Sequence, residues 1–167
     1  YQVSTVSDFS SNTGTNGSGI TIGSSGTIAS TTVYIRLLTT ATVSGSPYTG
    51  NIALTSSGAT TVNVATVSSS VTAKALTIAG LTGINKVYDM STGATVTGSA
   101  TLSGVINSDT VTLGGTPSFA FADKNVGTSK TITTTGYSIS GAGAGNYTLT
   151  QPTPTANITV ATLTVSG

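Results

Sequence analysis

The chain contains no cysteine, histidine, tryptophan or glutamate. The lack of cysteine excludes disulfides, thiolate metal sites and thiol nucleophiles. Because there is no histidine either, a Ser-His-Asp triad cannot form. Charge is also scarce, since five basic and four acidic residues leave a net charge of +1. So few cations cannot neutralise a phosphate backbone, and we expect no nucleic-acid partner.

Long apolar runs are missing as well. No stretch reaches the roughly 18–20 residues that a membrane-spanning helix needs, so we expect no membrane span. The four carboxylates belong to Asp8, Asp89, Asp109 and Asp123. Nothing in their spacing pairs two of them across a cleft, as a glycosidase would require. We therefore expect no enzyme activity, no metal and no cofactor.

Threonine, serine and glycine make up about half of the chain, with 37, 24 and 21 residues. Threonine and valine suit strands because their branched Cβ atoms fit a pleated surface. Glycine, serine and asparagine suit the turns between strands. No segment shows a sustained helical period of apolar residues. The composition predicts an all-β fold.

A short segment of the chain recurs. SSVTAKALTIAG at Ser69–Gly80 matches ANITVATLTVSG at Ala156–Gly167, a separation of 87 residues that places Leu163 at the position of Leu76. A junction that recurs at a domain-sized spacing is typical of tandem modules. We therefore predict an incomplete β-sandwich module at 1–72, a second module at 73–160 and, at 161–167, the lead strand of a following module.

Strand signals recur every 8–12 residues between turn signals, which is typical of small sandwiches. For the first unit we predict strands at Tyr1–Val6, Gly19–Ile22, Thr27–Ile28, Thr31–Leu38, Asn51–Thr55 and Thr60–Val67. For the second we predict strands at Ala75–Ile78, Lys86–Tyr88, Ala94–Leu102, Asp109–Leu113, Ser118–Ala122, Lys130–Thr134, Tyr137–Ile139, Tyr147–Thr150 and Asn157–Val160. Turns are predicted at Gly114–Gly115, Asp123–Gly127 and Gly141–Gly145.

The second unit carries several motifs in a fixed order. They are Lys86-Val87-Tyr88-Asp89, the stretch FADKNVGTSKTI with Phe121, Asp123, Lys124, Asn125 and Gly127, then Gly136-Tyr137, and Gly145-Asn146-Tyr147-Thr148-Leu149. Over roughly 75–160 the chain resembles the YDG domain, a repeat of large bacterial surface proteins that include filamentous-haemagglutinin-like adhesins. The glycine after Tyr-Asp is Met90 here, so we expect Met90 to avoid a left-handed turn.

The first unit is similar to the C-terminal part of an Ig-like repeat of large Bacteroidota surface proteins. The matching residues are Val3-Ser4-Thr5, Thr31–Leu37 and Tyr48–Ser56. In that family other strands precede the Val-Ser-Thr segment. Together the resemblances imply tandem Ig-like β-sandwich modules and export to the cell surface through the type IX secretion system.

Individual side chains allow more than one interpretation. Asp89, and Asp123 with Asn125, could be calcium ligands, although turn-forming roles are favoured because hard cations want several carboxylates. Tyr88 and Tyr147 are predicted core or corner tyrosines. Thr110, in Asp109-Thr110-Val111, resembles a Bacteroidota O-glycosylation site, and the alternative is an ordinary strand start.

From these features we expect a structural stalk or filament segment of a long, repetitive, extracellular adhesin. Its partners would be neighbouring modules, with glycans or host-cell ligands as further possibilities. One alternative is a carbohydrate-binding module, which would need exposed aromatics such as Tyr34, Tyr48 and Tyr137 to converge. Another is a fibre subunit whose open sandwich is completed by a strand, such as 161–167, from a second copy.

Overall fold

The computed structural model describes residues 1–15, 18–23, 29–106 and 109–165. This part of the chain is all-β, which confirms the predicted class, and its one helical segment is a three-residue 3₁₀ turn at Ala144–Asn146. The chain forms two compact units, Tyr1–Thr72 and Ala73–Gly167, called here unit 1 and unit 2. No helix among the described residues has the length and apolar character needed to cross a membrane.

Unit 1 is built from short strands. They are β1 (Gln2–Ser4), β2 (Thr13–Gly14), β3 (Tyr34–Arg36), β4 (Asn51–Leu54) and β5 (Val62–Ala65). The first three form an antiparallel sheet in the order β2-β1-β3, and β4 pairs with β5 as a hairpin. Gly19–Ile22, predicted to be a strand, is irregular, whereas the predicted Thr27–Ile28 segment lies outside the described residues.

The apolar side chains of unit 1 remain partly open to solvent. Leu54, Val62 and Val64 on the β4–β5 hairpin are 50%, 57% and 49% exposed. They belong to one face because Leu54 lies opposite Val62, and side chains in one strand alternate between faces. Among the described residues of this unit, no large apolar side chain is fully buried. Unit 1 therefore has little core of its own.

Unit 2 contains nine strands among its described residues. They are β6 (Lys74–Ala79), β7 (Thr82–Ile84), β8 (Lys86–Val87), β9 (Thr95–Thr97), β10 (Thr101–Ser103), β11 (Thr112–Phe121), β12 (Gly127–Ser140), β13 (Tyr147–Thr150) and β14 (Thr155–Thr159). They form a sheet in the order β11-β12-β14-β8, a second in the order β10-β6-β13, and the pair β7-β9.

The core of unit 2 follows the period-two pattern of its strands. Ile132 on β12 and Ile158 on β14 are 0% and 1% exposed and pack with Phe121 and Ala156. In the other sheet, β6 buries Leu76 while its neighbouring residues stay exposed. Burying such a side chain stabilises the fold by about 1.5–3 kcal/mol. Two thin apolar layers thus anchor the loops that carry the family motifs.

One predicted turn is wrong. Gly114–Gly115 lies inside the long strand β11, which pairs with β12 on both sides of a register shift between Gly115 and Ser118. Gly115 and Gly136 face each other across this bulge with φ values of 96° and 89°. A Cβ on Gly115 would overlap the Gly136 carbonyl oxygen, so glycine allows a bulge here in place of a turn.

Candidate functional site

The Lys86 ammonium organises the loop that follows β8. Its Nζ forms an ion pair of 2.7 Å with Asp89 Oδ1, and it donates to the Ser91 carbonyl at 2.9 Å and the Gly93 carbonyl at 3.1 Å. Asp89 Oδ1 also accepts from the Ser91 amide at 2.9 Å, which closes an Asx turn. The hydrogen bond from Lys86 is the main reason that the pKa of Asp89 falls to about 2.

Met90 sits at the tip of this turn, and the expectation for its backbone was wrong. Its φ is +66°, so it adopts the left-handed conformation that glycine would favour. Its side chain is 71% exposed. The bonds that Lys86 and Asp89 make around the loop hold Met90 in this conformation although its Cβ disfavours it.

A second lysine organises the turn between β11 and β12 in the same way. Lys130 Nζ pairs with Asp123 Oδ1 and donates to the Asn125 carbonyl at 2.8 Å. Asp123 Oδ1 accepts from the Asn125 amide at 2.8 Å, another Asx turn. The hydrogen bond from Lys130 lowers the pKa of Asp123. Lys124 is exposed, and Gly127 begins β12.

In both loops, therefore, a lysine ammonium lies against the aspartate carboxylate, in the position that a bound metal ion would occupy. In the part of the chain that the structure describes, no three acidic, histidine or cysteine side chains come together as metal ligands. The carboxylates of Asp89 and Asp123 each serve a lysine and a backbone amide. The two motifs are Asx turns cross-linked by the side chains of Lys86 and Lys130, called here the lysine-linked turns.

Tyr147 links another loop to the sheet. Its side chain is 8% exposed at the start of β13, and its hydroxyl donates to Asp109 Oδ2 at 2.6 Å. The Tyr147 hydroxyl oxygen also accepts a hydrogen bond from the Ile106 amide at 3.1 Å. The bond to Asp109 raises the pKa of Tyr147. Gly145 and Asn146 belong to the 3₁₀ turn that leads into this tyrosine.

Two further motif residues belong to the core. Phe121 is 3% exposed within the apolar cluster, and Tyr88 packs against that cluster. Thr110 has an exposed side chain next to Asp109, while its carbonyl accepts from the Gly143 amide at 3.1 Å. An attached glycan would therefore point away from the described core.

The three tyrosines considered for sugar stacking are differently placed. Tyr34 on β3 is 39% exposed. The Tyr48 hydroxyl accepts from the Thr42 amide at 2.6 Å and donates to the Thr42 carbonyl at 2.9 Å. Tyr137 packs edge-on against Phe119, with ring centroids 6.4 Å apart. Tyr48 and Tyr137 are thus engaged within their own units.

Unit 1 contains a groove that the sequence did not reveal. It is a cavity of about 320 Å³ between the β1 sheet and the β4–β5 hairpin. None of the described residues that line it is charged. Its apolar lining consists of Val3, Ile20, Ile22, Val33, Ile52, Ala53 and Leu54. A local pattern cannot predict such a groove, because its walls come from distant segments.

Sequence reasoning also missed partners within the motifs. Lys130 and Ser91 complete the two lysine-linked turns, although neither was singled out as a site residue. The available signal was the Asx-turn pattern, in which a carboxylate bonds the amide two residues later. A lysine seven residues from Asp123 carries no local signal, because the hairpin brings the two together.

With this geometry in place, comparison with known proteins assigns the family. The family model of the YDG domain matches residues 72–156, just over half of the chain. The chain belongs to the YDG domain family. No curated protein and no solved structure matches it. The YDG domain thus comprises most of unit 2, including the lysine-linked turns and the Tyr147 loop.

Proposed function

We propose that this chain is a non-catalytic stalk or filament segment of a long, repetitive bacterial surface adhesin. In the YDG domain, Leu76 and Ile78 of β6 are 0% and 9% exposed, and β6 is paired on both sides. The corresponding Leu163 and Val165 are 92% and 97% exposed. This contrast is the observation that carries the proposal. The segment that forms a central strand at β6 thus has a similar counterpart at 161–165 that is not paired among the described residues.

The proposal assigns 161–167 to the lead strand of a following module, of which Ser166 and Gly167 lie outside the described residues. Such a strand would follow β14 within two residues. A junction this short would leave little slack between Ig-like β-sandwich modules. Neighbouring modules would then be the main partners, and the cell surface, reached by type IX secretion, the location. Adhesion would reside elsewhere in the protein or in glycans, for example on Thr110.

The mass of the native polypeptide tests this proposal directly. We expect a denaturing gel to show a chain of many hundreds of residues. Peptide mapping should find peptides that extend before Tyr1 and after Gly167, and surface labelling of intact cells should reach them. A discrete species near 16.3 kDa would contradict the proposal.

The groove in unit 1 favours a second candidate, a fibre subunit completed by strand exchange. Leu163 and Val165 alternate with threonines, as in a strand that buries one face. Neither these two residues nor the described lining of the groove carries charge. A segment of this type from a second copy could add to the sheets of unit 1. Deleting 161–167 should then abolish self-association, whereas exchanging Thr162 for Ser should not. Oligomers that survive the deletion would refute it.

A further inference from the structure

The two ends of unit 2 are joined by parallel strand pairs. Near the start of the unit, β6 pairs in parallel with β13, in the register Lys74↔Tyr147 to Thr77↔Thr150. Further along, β8 pairs in parallel with β14, the last strand. Every other described strand pair in the unit is antiparallel. The early strands β6 and β8 therefore run in the same direction as the late strands with which they pair, β13 and β14.

The strands β6, β7 and β8 form one bent segment, called here the lead segment (74–87). The pairing Ala79↔Thr101 between β6 and β10 continues as Thr82↔Thr97 between β7 and β9. The bend occurs at Gly80, where φ is 89° and an added Cβ would overlap the Ser99 carbonyl. The lead segment thus runs in one general direction, with β13 beside its first half and β14 beside its second half.

Further hydrogen bonds, two of them involving side chains, reinforce the contact between β8 and β14. The Tyr88 amide donates to the Thr159 carbonyl at 2.8 Å, which extends the β8–β14 ladder. The Asn157 amide donates to Asn85 Oδ1 at 2.7 Å. The Thr159 hydroxyl donates to the Lys86 carbonyl at 3.3 Å. Bonds at Asn85, Lys86 and Tyr88 therefore hold the last strand to the end of the lead segment and the residue after it.

This arrangement has a mechanical consequence. Tension on the two ends of the unit pulls the lead segment towards its N-terminus and β13 and β14 towards their C-termini. Parallel strands pulled in this way must slide past each other, so their hydrogen bonds bear the load together. An antiparallel hairpin pulled apart at its open end loses its bonds one pair at a time. Forced unfolding depends on the unfolding barrier, which the first geometry raises.

We infer that the YDG domain is a tension-bearing module whose mechanical clamp consists of the lead segment, β13 and β14. This inference rests on the proposed stalk function, because a stalk on a cell surface carries tension along the chain. To the stalk function, the inference adds which strands resist the tension and in which pulling direction they resist it. The Lys86 turn and the Tyr147 loop adjoin the clamp at β8 and β13, whereas the Lys130 turn lies outside the clamp strands.

Single-molecule pulling on the full chain tests the clamp. The chain has no cysteine, so two introduced cysteines are the sole attachment points for handles. Thr72→Cys with Ala161→Cys loads unit 2 along the clamp. Thr112→Cys with Ser140→Cys loads the open end of the β11–β12 hairpin, where these two residues are paired. At equal loading rate we expect a several-fold higher unfolding force in the clamp direction. Equal or lower force in that direction would overturn the inference.

A clamp variant separates mechanical from general stability. Asn85→Ala removes the acceptor of the Asn157 amide. It should lower the unfolding force in the clamp direction and leave the hairpin direction unchanged, whereas equal lowering in both directions would contradict the clamp. Asn63→Ala on β5 is the matched control, because unit 1 lies outside the loaded path.

The stalk proposal and the clamp can fail separately. A low unfolding force in the clamp direction, found in a chain of large native mass, would refute the clamp and leave the stalk proposal standing. A strong clamp in a discrete small protein would remove the stalk and leave a mechanically resistant fold.

Discussion

At the scale of single residues, Met90 is held by its neighbours in an unfavourable backbone conformation. Its φ of +66° is a region in which a Cβ costs about 1–2 kcal/mol. The sequence marked the position by its missing family glycine but did not predict that the left-handed turn persists. The turn persists because Lys86 and Asp89 hold the loop from both sides.

Replacing Met90 with glycine should therefore stabilise the protein. We expect a gain of about 1 kcal/mol in the free energy of unfolding, since the strain is relieved and little burial is lost at an exposed site. Urea denaturation monitored by circular dichroism measures this. Met90→Ala is the control, because alanine retains the Cβ and should bring no such gain. A glycine variant less stable than the alanine variant would contradict the account.

Thr134 on β12 presents the opposite case, a buried polar atom without a partner. Its side chain is 3% exposed, and its hydroxyl has no hydrogen-bond partner among the described residues. Thr134→Val keeps the shape and removes the orphan hydroxyl, so we expect about 1–2 kcal/mol of added stability. Thr133→Val, on the exposed face of the same strand, should change stability little. Destabilisation by Thr134→Val in the same urea assay would show that the hydroxyl is bonded.

Asp89 makes the free energy of unfolding of the YDG domain depend on pH in the acid range. Its folded pKa of about 2 lies below its usual value of 3.8, so ionised Asp89 favours the folded state. This contribution is fully present above pH 4 and is lost as the pH falls through about 2. We expect Asp89→Asn to remove part of the loss of stability over this interval. Urea midpoints from pH 5 to pH 2 measure it, and an unchanged pH profile would contradict the assignment.

At the scale of elements, several strand predictions were confirmed, while boundaries followed tertiary pairing, so that the predicted strand Thr31–Leu38 shortens to β3 (Tyr34–Arg36). Ala75–Ile78 lies within β6, and Tyr147–Thr150 matches β13. Two pairs of predicted strands merged, because the β11–β12 hairpin extends through its glycine bulge. Conversely, predicted Ala94–Leu102 divides into β9 and β10 at Gly98, where φ is 99°. Local pattern marks strand residues, but the partner strand decides where a strand bends or continues.

Gly83 on β7 tests how closely the lead segment approaches β14. A Cβ at this position would overlap the Thr155 carbonyl oxygen and lie 2.8 Å from Ile132 Cδ1. Gly83→Ala should therefore destabilise unit 2 by about 1–3 kcal/mol through overpacking. Gly93→Ala is the control, because only Ser91 Oγ, at 3.9 Å, would meet its Cβ. Equal urea midpoints for the two variants would show that the β7–β14 approach is looser.

At the scale of the whole chain, the two units differ in how much they bury. The large apolar side chains that are fully buried among the described residues belong to unit 2, whereas those of unit 1 remain partly exposed. Small units with little buried surface are marginally stable. The proposed stalk would then consist of modules of unequal strength.

Calorimetry of the full chain should accordingly resolve two transitions, with unit 1 unfolding first. Ile132→Ala, which empties part of the unit 2 core, should lower only the upper transition, at a cost of about 2–5 kcal/mol. Val64→Ala, on the half-exposed β4–β5 hairpin, should affect only the lower one. A single transition that both substitutions shift would refute independent units.

The sequence by itself determined the all-β class, the family and the order of its motifs. These depend on composition and short-range pattern, since branched residues favour strands and ordered motifs identify a domain. Only the tertiary structure decided that Lys86 and Lys130 fill their loops, that Met90 is left-handed and that unit 1 holds an apolar groove. It also decided the parallel pairing of the lead segment with β13 and β14. Such pairings join residues more than seventy positions apart, and the choice of partner depends on which edges and faces the rest of the fold leaves open.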